Sequence, residues 1–190
     1  MIDINGIKVK NPFFIASGPI KYGRGYKIYE NPISFMLYGL DYIKPELFGG
    51  AITKTLTLAP RRGHYRWYAP WQVLKKLDDG WANRFGWNNC GIDYFIRHEY
   101  PKVKNRLDNL IPSIGATKQP EEILEIIKKL NLIKVLAIEL NISCPHVDIT
   151  FRNDRKKLRE LFIEAVKLSH YPLLVKIGPE DDAIIKAIIA

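Results

Sequence analysis

The stretch VLAIELNISCPH, residues 135–146, decides the fold. Its first four residues form an apolar run that reads as a buried strand. Its remainder carries a carboxylate, an amide, a hydroxyl, a thiol and an imidazole. Side chains alternate across a strand, so Val135, Ala137, Glu139 and Asn141 share one face, while Leu136, Ile138, Leu140 and Ile142 share the other. The second face is uniformly apolar and suits packing on helices. The first turns polar toward the strand's C-terminal end.

Four other stretches read as strands: FFIAS (13–17), GGAITKTLTL (49–58), LIPSIGA (110–116) and PLLVKIG (172–178). Helical patterns separate the later ones. Pro120-Glu121-Glu122 is a helix start, followed by Ile123, Ile126, Ile127 and Leu130 on one stripe. Asp154 begins another, with Leu158, Leu161, Phe162, Ala165 and Leu168 inward, and a third starts at Glu180. Such alternation predicts an α/β fold with a mostly parallel sheet and helices outside. An open doubly wound sheet and a (β/α)8 barrel both satisfy it. The lack of a GxGxxG after the first strand argues against a dinucleotide fold.

In a barrel, the polar face of strand four lines the interior, and active sites gather at the C-terminal ends of the strands. Lys176 lies late in strand five and Lys54 in the middle to late part of strand two. A lysine in a low-dielectric interior needs an anion. Glu139 suits one of them, and a bound anionic cofactor the other. The long segment 59–92, rich in Trp, Arg, Gly and Asn, reads as a functional lid or binding loop. MIDINGIKVKNP at the N-terminus reads as a hairpin turning at Asn5-Gly6 rather than as a signal peptide.

The 190 residues, 47% hydrophobic, are enough for one domain with its own core. No apolar run approaches the ~18 residues of a membrane span. Two cysteines, Cys90 and Cys144, make neither a disulfide framework nor a zinc set, so a cytoplasmic home is expected. The net charge of +9 includes clusters at Arg61, Arg62 and Arg66 and at Arg152, Arg155, Lys156, Lys157 and Arg159. The second cluster opens an amphipathic helix and reads as a solvated face. An anionic small ligand is a better use of these charges than nucleic acid.

Six stretches in order, NPFFIASGP, AITKTLTLAPRRG, NRFGWNNCGID, IPSIGA, ELNISCP and LLVKIGP, resemble the dihydroorotate dehydrogenase family, flavoprotein barrels of pyrimidine biosynthesis. The resemblance implies an FMN-dependent oxidation of dihydroorotate to orotate. A base takes the proton from carbon 5 and the flavin takes hydride from carbon 6. It implies Cys144 as the base. Ala16, Ser17 and Gly18 would lie against the flavin, where small residues let the ring approach the backbone. Lys54 and Thr55 would contact flavin and substrate. Lys176 would hydrogen-bond the flavin ring. Asn83, Gly86 and Trp87 would cradle the pyrimidine, and Asn141 would bind both rings, donating and accepting through its amide. Trp67, Trp71 and Trp81 read as lid packing, and Cys90 as a small buried hydrophobe.

Three departures accompany the resemblance. His146 stands where the family usually has Asn, a pattern shared with some dihydropyrimidine dehydrogenases, so a uracil-type substrate is the alternative. Trp87 stands where a leucine is common. Only about the first five β/α units of an eight-stranded barrel are expected over residues 1–190, as a truncated, split or incomplete partial barrel domain. On that expectation FMN binds weakly to the chain alone. The implied partners are a chain carrying the missing barrel half and an electron-transfer subunit, in a homo- or hetero-oligomer. A catalytically silent subunit of a split barrel is the rival of another class. The extra N-terminal hydrophobic helix of the family's membrane-associated members is not expected here, nor is a membrane partner.

Overall fold

The computed structural model describes residues 1–4, 6–23, 43–64, 73–143, 149–151, 154–178 and 185. Strands β1 (Ile2–Ile4) and β2 (Ile7–Val9) pair antiparallel, with Ile4 opposite Ile7. Gly6 makes the turn at φ 84°, and its N–H is held by the Asp3 carboxylate at 2.7 Å. The expected N-terminal hairpin is therefore present; Asn5 lies outside the described residues.

After β3 (Phe14–Ile15) and β4 (Gly50–Ile52), a second hairpin joins β5 (Leu74–Leu77) to β6 (Gly80–Asn83). Then come β7 (Leu110–Ile111), β8 (Ser113–Ile114), β9 (Ile138–Asn141) and β10 (Leu173–Lys176). β3 pairs with β4, β4 with β7, β8 with β9 and β9 with β10, all parallel. β7 and β8 are halves of one strand divided at Pro112, which has no N–H to give a ladder. The Pro112 carbonyl still accepts Glu139 N–H at 2.9 Å. Five parallel strands thus run side by side in chain order, with no closed barrel among the described residues.

The ladders are shorter than the expected strands, for identifiable reasons. Ile52 pairs with Ile111, and Leu56 bridges Ile114. Four steps on one strand thus match three on the other, so the second strand carries one extra residue. Such a bulge re-aims side chains. Ile52 packs with the N-terminal hairpin, Thr55 faces the same side again, and Leu56 turns to the helices.

Two helices cover one face. α1 (Glu121–Leu130) has acids in its first turn and Lys128 and Lys129 in its last, matching the helix dipole. It buries Ile123, Ile126, Ile127 and Leu130, the expected stripe. α2 (Arg155–Leu168) is capped by Asp154, whose carboxylate accepts Lys157 N–H at 3.1 Å. It buries Leu158, Leu161 and Ala165, with Phe162 and Leu168 packed at the margin. These stripes meet Leu110, Ile114, Ile138, Leu140 and Ile142 in the main core. On the opposite face Ile52, Ile111 and Ala137 pack against Ile7 and Val9, so the N-terminal hairpin plugs the N-terminal end of the sheet's inner side.

The segment expected as one long loop is corrected by the β5–β6 hairpin, in which Leu77 pairs with Gly80 across Asp78-Asp79. Beyond it, a helical stretch starts at Ile92–Tyr94, widens over Phe95–Glu99 and tightens at Tyr100–Lys102. Pro101 lies where a regular turn would need an N–H. Among the described residues no helix is long and apolar enough to cross a membrane. The helix stripe yields a stability prediction: Ile126→Ala lowers unfolding free energy by about 2–4 kcal/mol, while exposed Glu125→Ala changes it by under about 0.5 kcal/mol, read by urea denaturation.

Candidate functional site

The inner face of the sheet changes character above the apolar plug. Thr55, Ser113, Glu139, Asn141 and Lys176 come from four adjacent strands: Asn141 and Lys176 end β9 and β10, Thr55 lies beyond the end of β4, and Ser113 and Glu139 pair with each other lower in the sheet. They form one hydrogen-bonded row. Lys176 Nζ donates to Glu139 Oε1 at 2.9 Å, and Ser113 Oγ lies 2.6 Å from the same oxygen. Thr55 Oγ1 is 3.1 Å from Ser113 Oγ. Asn141 Nδ2 donates to Thr55 Oγ1 at 2.7 Å, and Asn141 Oδ1 accepts from Ser143 Oγ at 3.0 Å and Ser143 N–H at 3.3 Å.

A carboxylate 4% exposed would be costly without partners. Glu139 has a cation and a hydroxyl on one oxygen, so the expectation that it serves one lysine is met by Lys176. Ser113 was missed in the sequence. Parity would have found it: it lies two residues after the inward Ile111, a hydroxyl on an otherwise apolar strand.

Lys54 stands on the bulged segment beside Thr55. Its backbone N–H donates to the Lys21 carbonyl at 2.7 Å, which ties the loop after β3 to the end of strand two. Its ammonium reaches Asn88 Oδ1 at 3.3 Å, and Asn88 Nδ2 donates to the Arg62 carbonyl at 2.6 Å. Burial, aided by the neighbouring Lys21 charge and opposed by Cys90, pushes the Lys54 pKa down from 10.5 to about 8. Asn88 is a second group the sequence reading passed over, although it lies inside the quoted NRFGWNNCGID.

Ala16 is exposed, and Ser17 and Gly18 are half-buried on the loop leaving β3. Gly18 has φ 128°, and a Cβ built there would meet nothing within 4 Å, so the backbone borders open space. Asn83, at the end of β6, is exposed and makes no part of the polar row. Gly86 and Trp87 both adopt the left-handed region, at φ 65° and 54°. A side chain on Gly86 would strike the His64 imidazole. The Trp87 indole is buried in the main core over Gly115, where any Cβ would come within 2.6 Å of the ring. Asn89 brackets this turn: its Nδ2 donates to the Trp87 carbonyl at 2.7 Å, and its Oδ1 accepts Gly91 N–H at 2.8 Å. Cys90 packs half-buried at the core margin, and burial raises its thiol pKa. Cys144 and His146 lie outside the described residues.

Chemically, the row offers a cation, a fixed carboxylate and an oriented amide at one end of a parallel sheet, with a second cation, its pKa lowered by burial, beside Thr55 on the second strand. That set suits a flat, polar ring carrying negative charge. Lys54 carries a stability signature. Its folded pKa lies below its unfolded value, so burial of the ammonium opposes folding fully below pH 8, and this cost fades between about pH 8 and 10.5. Lys54→Met is therefore expected to be more stable than the parent at pH 7. The difference between their urea midpoints should shrink steadily as pH rises to 10; a constant difference would contradict the depressed pKa.

The family model for dihydroorotate dehydrogenase matches residues 1–190. The chain is 31% identical over 184 residues to the catalytic subunit of dihydroorotate dehydrogenase B (NAD(+)) of Bacteroides thetaiotaomicron, covering 94% of this chain and 54% of that protein. It is 32% identical over 193 residues to the Caldicellulosiruptor saccharolyticus protein of the same name, covering 57% of it. The chain thus spans about half the length of the curated relatives it matches. Its fold superposes with a TM-score of 0.70 on a crystal structure of the Eimeria tenella dihydroorotate dehydrogenase in complex with ferulenol, at 20% identity, over 98% of this chain and 55% of that one. With the whole of its length matched by that model and its six motifs in order, the chain belongs to the dihydroorotate dehydrogenase family.

Proposed function

We propose that residues 1–190 form the first five β/α units of a (β/α)8 barrel that oxidises dihydroorotate to orotate with FMN, in de novo pyrimidine (UMP) biosynthesis. The observation that carries this is the convergence of Thr55, Asn141 and Lys176 at the C-terminal ends of parallel strands, where barrel active sites lie, with the Glu139 carboxylate beneath them holding Lys176. FMN suits the residues present: open space borders Gly18, and two lysines flank the floor. Bound there, it supplies the hydride acceptor for carbon 6 of the substrate.

The chain's own residues have distinct tasks on this reading. Ala16, Ser17 and Gly18 let a ring approach the backbone. Lys176, pinned by Glu139, stabilises negative charge above the sheet. Lys54 holds the ring and the substrate from the second strand, steadied by Asn88. Asn141 and Thr55 fix the floor. Cys144 takes the proton from carbon 5, and Asn83, Gly86, Trp87 and His146 bound the substrate pocket. The Trp87 contribution is through its backbone, since its ring is buried in the core. Because the relatives are named catalytic subunits of an NAD-dependent enzyme, an electron-transfer subunit is the expected partner, in the cytoplasm.

The test titrates FMN into the chain alone and into the chain mixed with the remaining strands of a relative, following flavin fluorescence and its bleaching by dihydroorotate. Weak binding alone, tight binding in the mixture and dihydroorotate-dependent bleaching are expected. Cys144→Ser should slow bleaching by roughly 10²–10⁴-fold without releasing FMN. Flavin fluorescence unchanged in both samples would overturn the reading. His146 favours a second substrate class, so dihydrouracil is run beside dihydroorotate; faster bleaching by dihydrouracil would transfer the assignment to a uracil-type dihydropyrimidine dehydrogenase.

A further inference from the structure

The polar row has a direction, and it can be read from its two ends. At one end the Ser143 backbone N–H can only donate. Its 3.3 Å approach to Asn141, joined by Ser143 Oγ at 3.0 Å, places the amide oxygen on that side. The Asn141 nitrogen is then the atom 2.7 Å from Thr55, and it donates. At the other end an ionised Glu139 only accepts, from Lys176 at 2.9 Å and from Ser113 at 2.6 Å. With its single proton on Glu139, Ser113 accepts across the 3.1 Å contact to Thr55. Thr55 therefore receives from Asn141 and gives to Ser113. Every hydrogen bond between Asn141 and Glu139 points toward the carboxylate.

We propose that Ser113 is a positioning residue through which Glu139 locks the Asn141 amide, so that Asn141 offers a bound ring one N–H and no acceptor. Both lone pairs of its oxygen go to Ser143 and one N–H goes to Thr55. The remaining N–H selects an acceptor atom on the ligand, a carbonyl oxygen or an unprotonated ring nitrogen. This rests on the flavoprotein reading for what binds above the row, but the lock itself does not. On this reading the amide accepts only within the protein, from Ser143, and faces the ligand as a donor. Thr55, 5% exposed, has its proton and one lone pair engaged within the row, so it acts from below the ligand.

The experiment uses the full chain without FMN, labelled with ¹⁵N-asparagine, and reads the side-chain NH2 of Asn141, assigned by its loss in Asn141→Asp. One of its two protons should exchange slowly. Ser113→Ala frees the Thr55 hydroxyl to turn, and exchange of that proton should accelerate by about tenfold or more. Ser113→Thr, which keeps the hydroxyl, should restore protection. Thr55→Val against Thr55→Ser repeats the comparison at the next link, should Ser113→Ala not fold by circular dichroism. Unchanged exchange in a folded Ser113→Ala or Thr55→Val would overturn the lock, as would a folded Ser113→Thr or Thr55→Ser that behaves like the deletion. Failure of FMN to bind leaves these readings intact, so the two ideas fail separately. With FMN bound, an acceptor-only contact predicts that Asn141→Asp weakens flavin affinity more than Asn141→Ala, because a carboxylate places repulsion where the N–H was.

Discussion

A single buried carboxylate constrains both the sheet and the site. Glu139 sits on the inner face of β9, and its partners come from the strands on either side, Ser113 on β8 and Lys176 on β10. An unpaired charge there would cost far more than any one apolar contact returns. A one-residue slip of β9 would turn Glu139 toward the helices and Leu140 toward the plug, inverting every side chain at once. The pairing register and the floor of the site are therefore one specification. What makes the slip costly is the same geometry that lines up Thr55, Ser113 and Asn141.

That coupling explains which parts of the molecule were legible in the sequence. The alternation across 137–142 was readable because the period of a strand is unambiguous when one face is wholly apolar: Ile138, Leu140 and Ile142 join the helix-side core, and Ala137 meets the plug. It fails at Val135, which belongs to the helix side, because the ladder has not yet begun there. The second strand could not be read by parity, since its extra residue between Ile52 and Leu56 shifts the phase, and nothing in AITKTLTL marks the bulge. Parity would assign Lys54 to the inner face and Thr55 to the outer; the bulge lets Thr55 join the row. The β5–β6 hairpin was hidden because its turn, Asp78-Asp79, lacks the Asn-Gly or Asp-Gly pair centred between the strands, and LKKL puts one leucine and one lysine on each side of β5, so no alternation signals a strand. Asn88 was hidden for another reason: a side chain that bridges a lysine and a distant carbonyl has no periodic signature.

Inner row and outer core meet at the segment from Gly86 to Asn89. Two consecutive residues there hold positive φ, a conformation that costs a bulky side chain about 1–2 kcal/mol. The surrounding contacts over-determine it. The Trp87 indole is clamped in the helix-side core over Gly115, Asn89 ties its carbonyl and the Gly91 N–H, and Asn88 reaches the other way to Lys54. A strained turn anchored by a buried tryptophan thus delivers an asparagine carbonyl to a lysine at the mouth of the sheet. The indole anchors the turn in the core, and the neighbouring Asn88 is the residue of this loop that reaches Lys54. Strain at such a position is stable only because the core, and not the ligand, holds it. The mouth of the sheet is consequently shaped by the packing of the core itself.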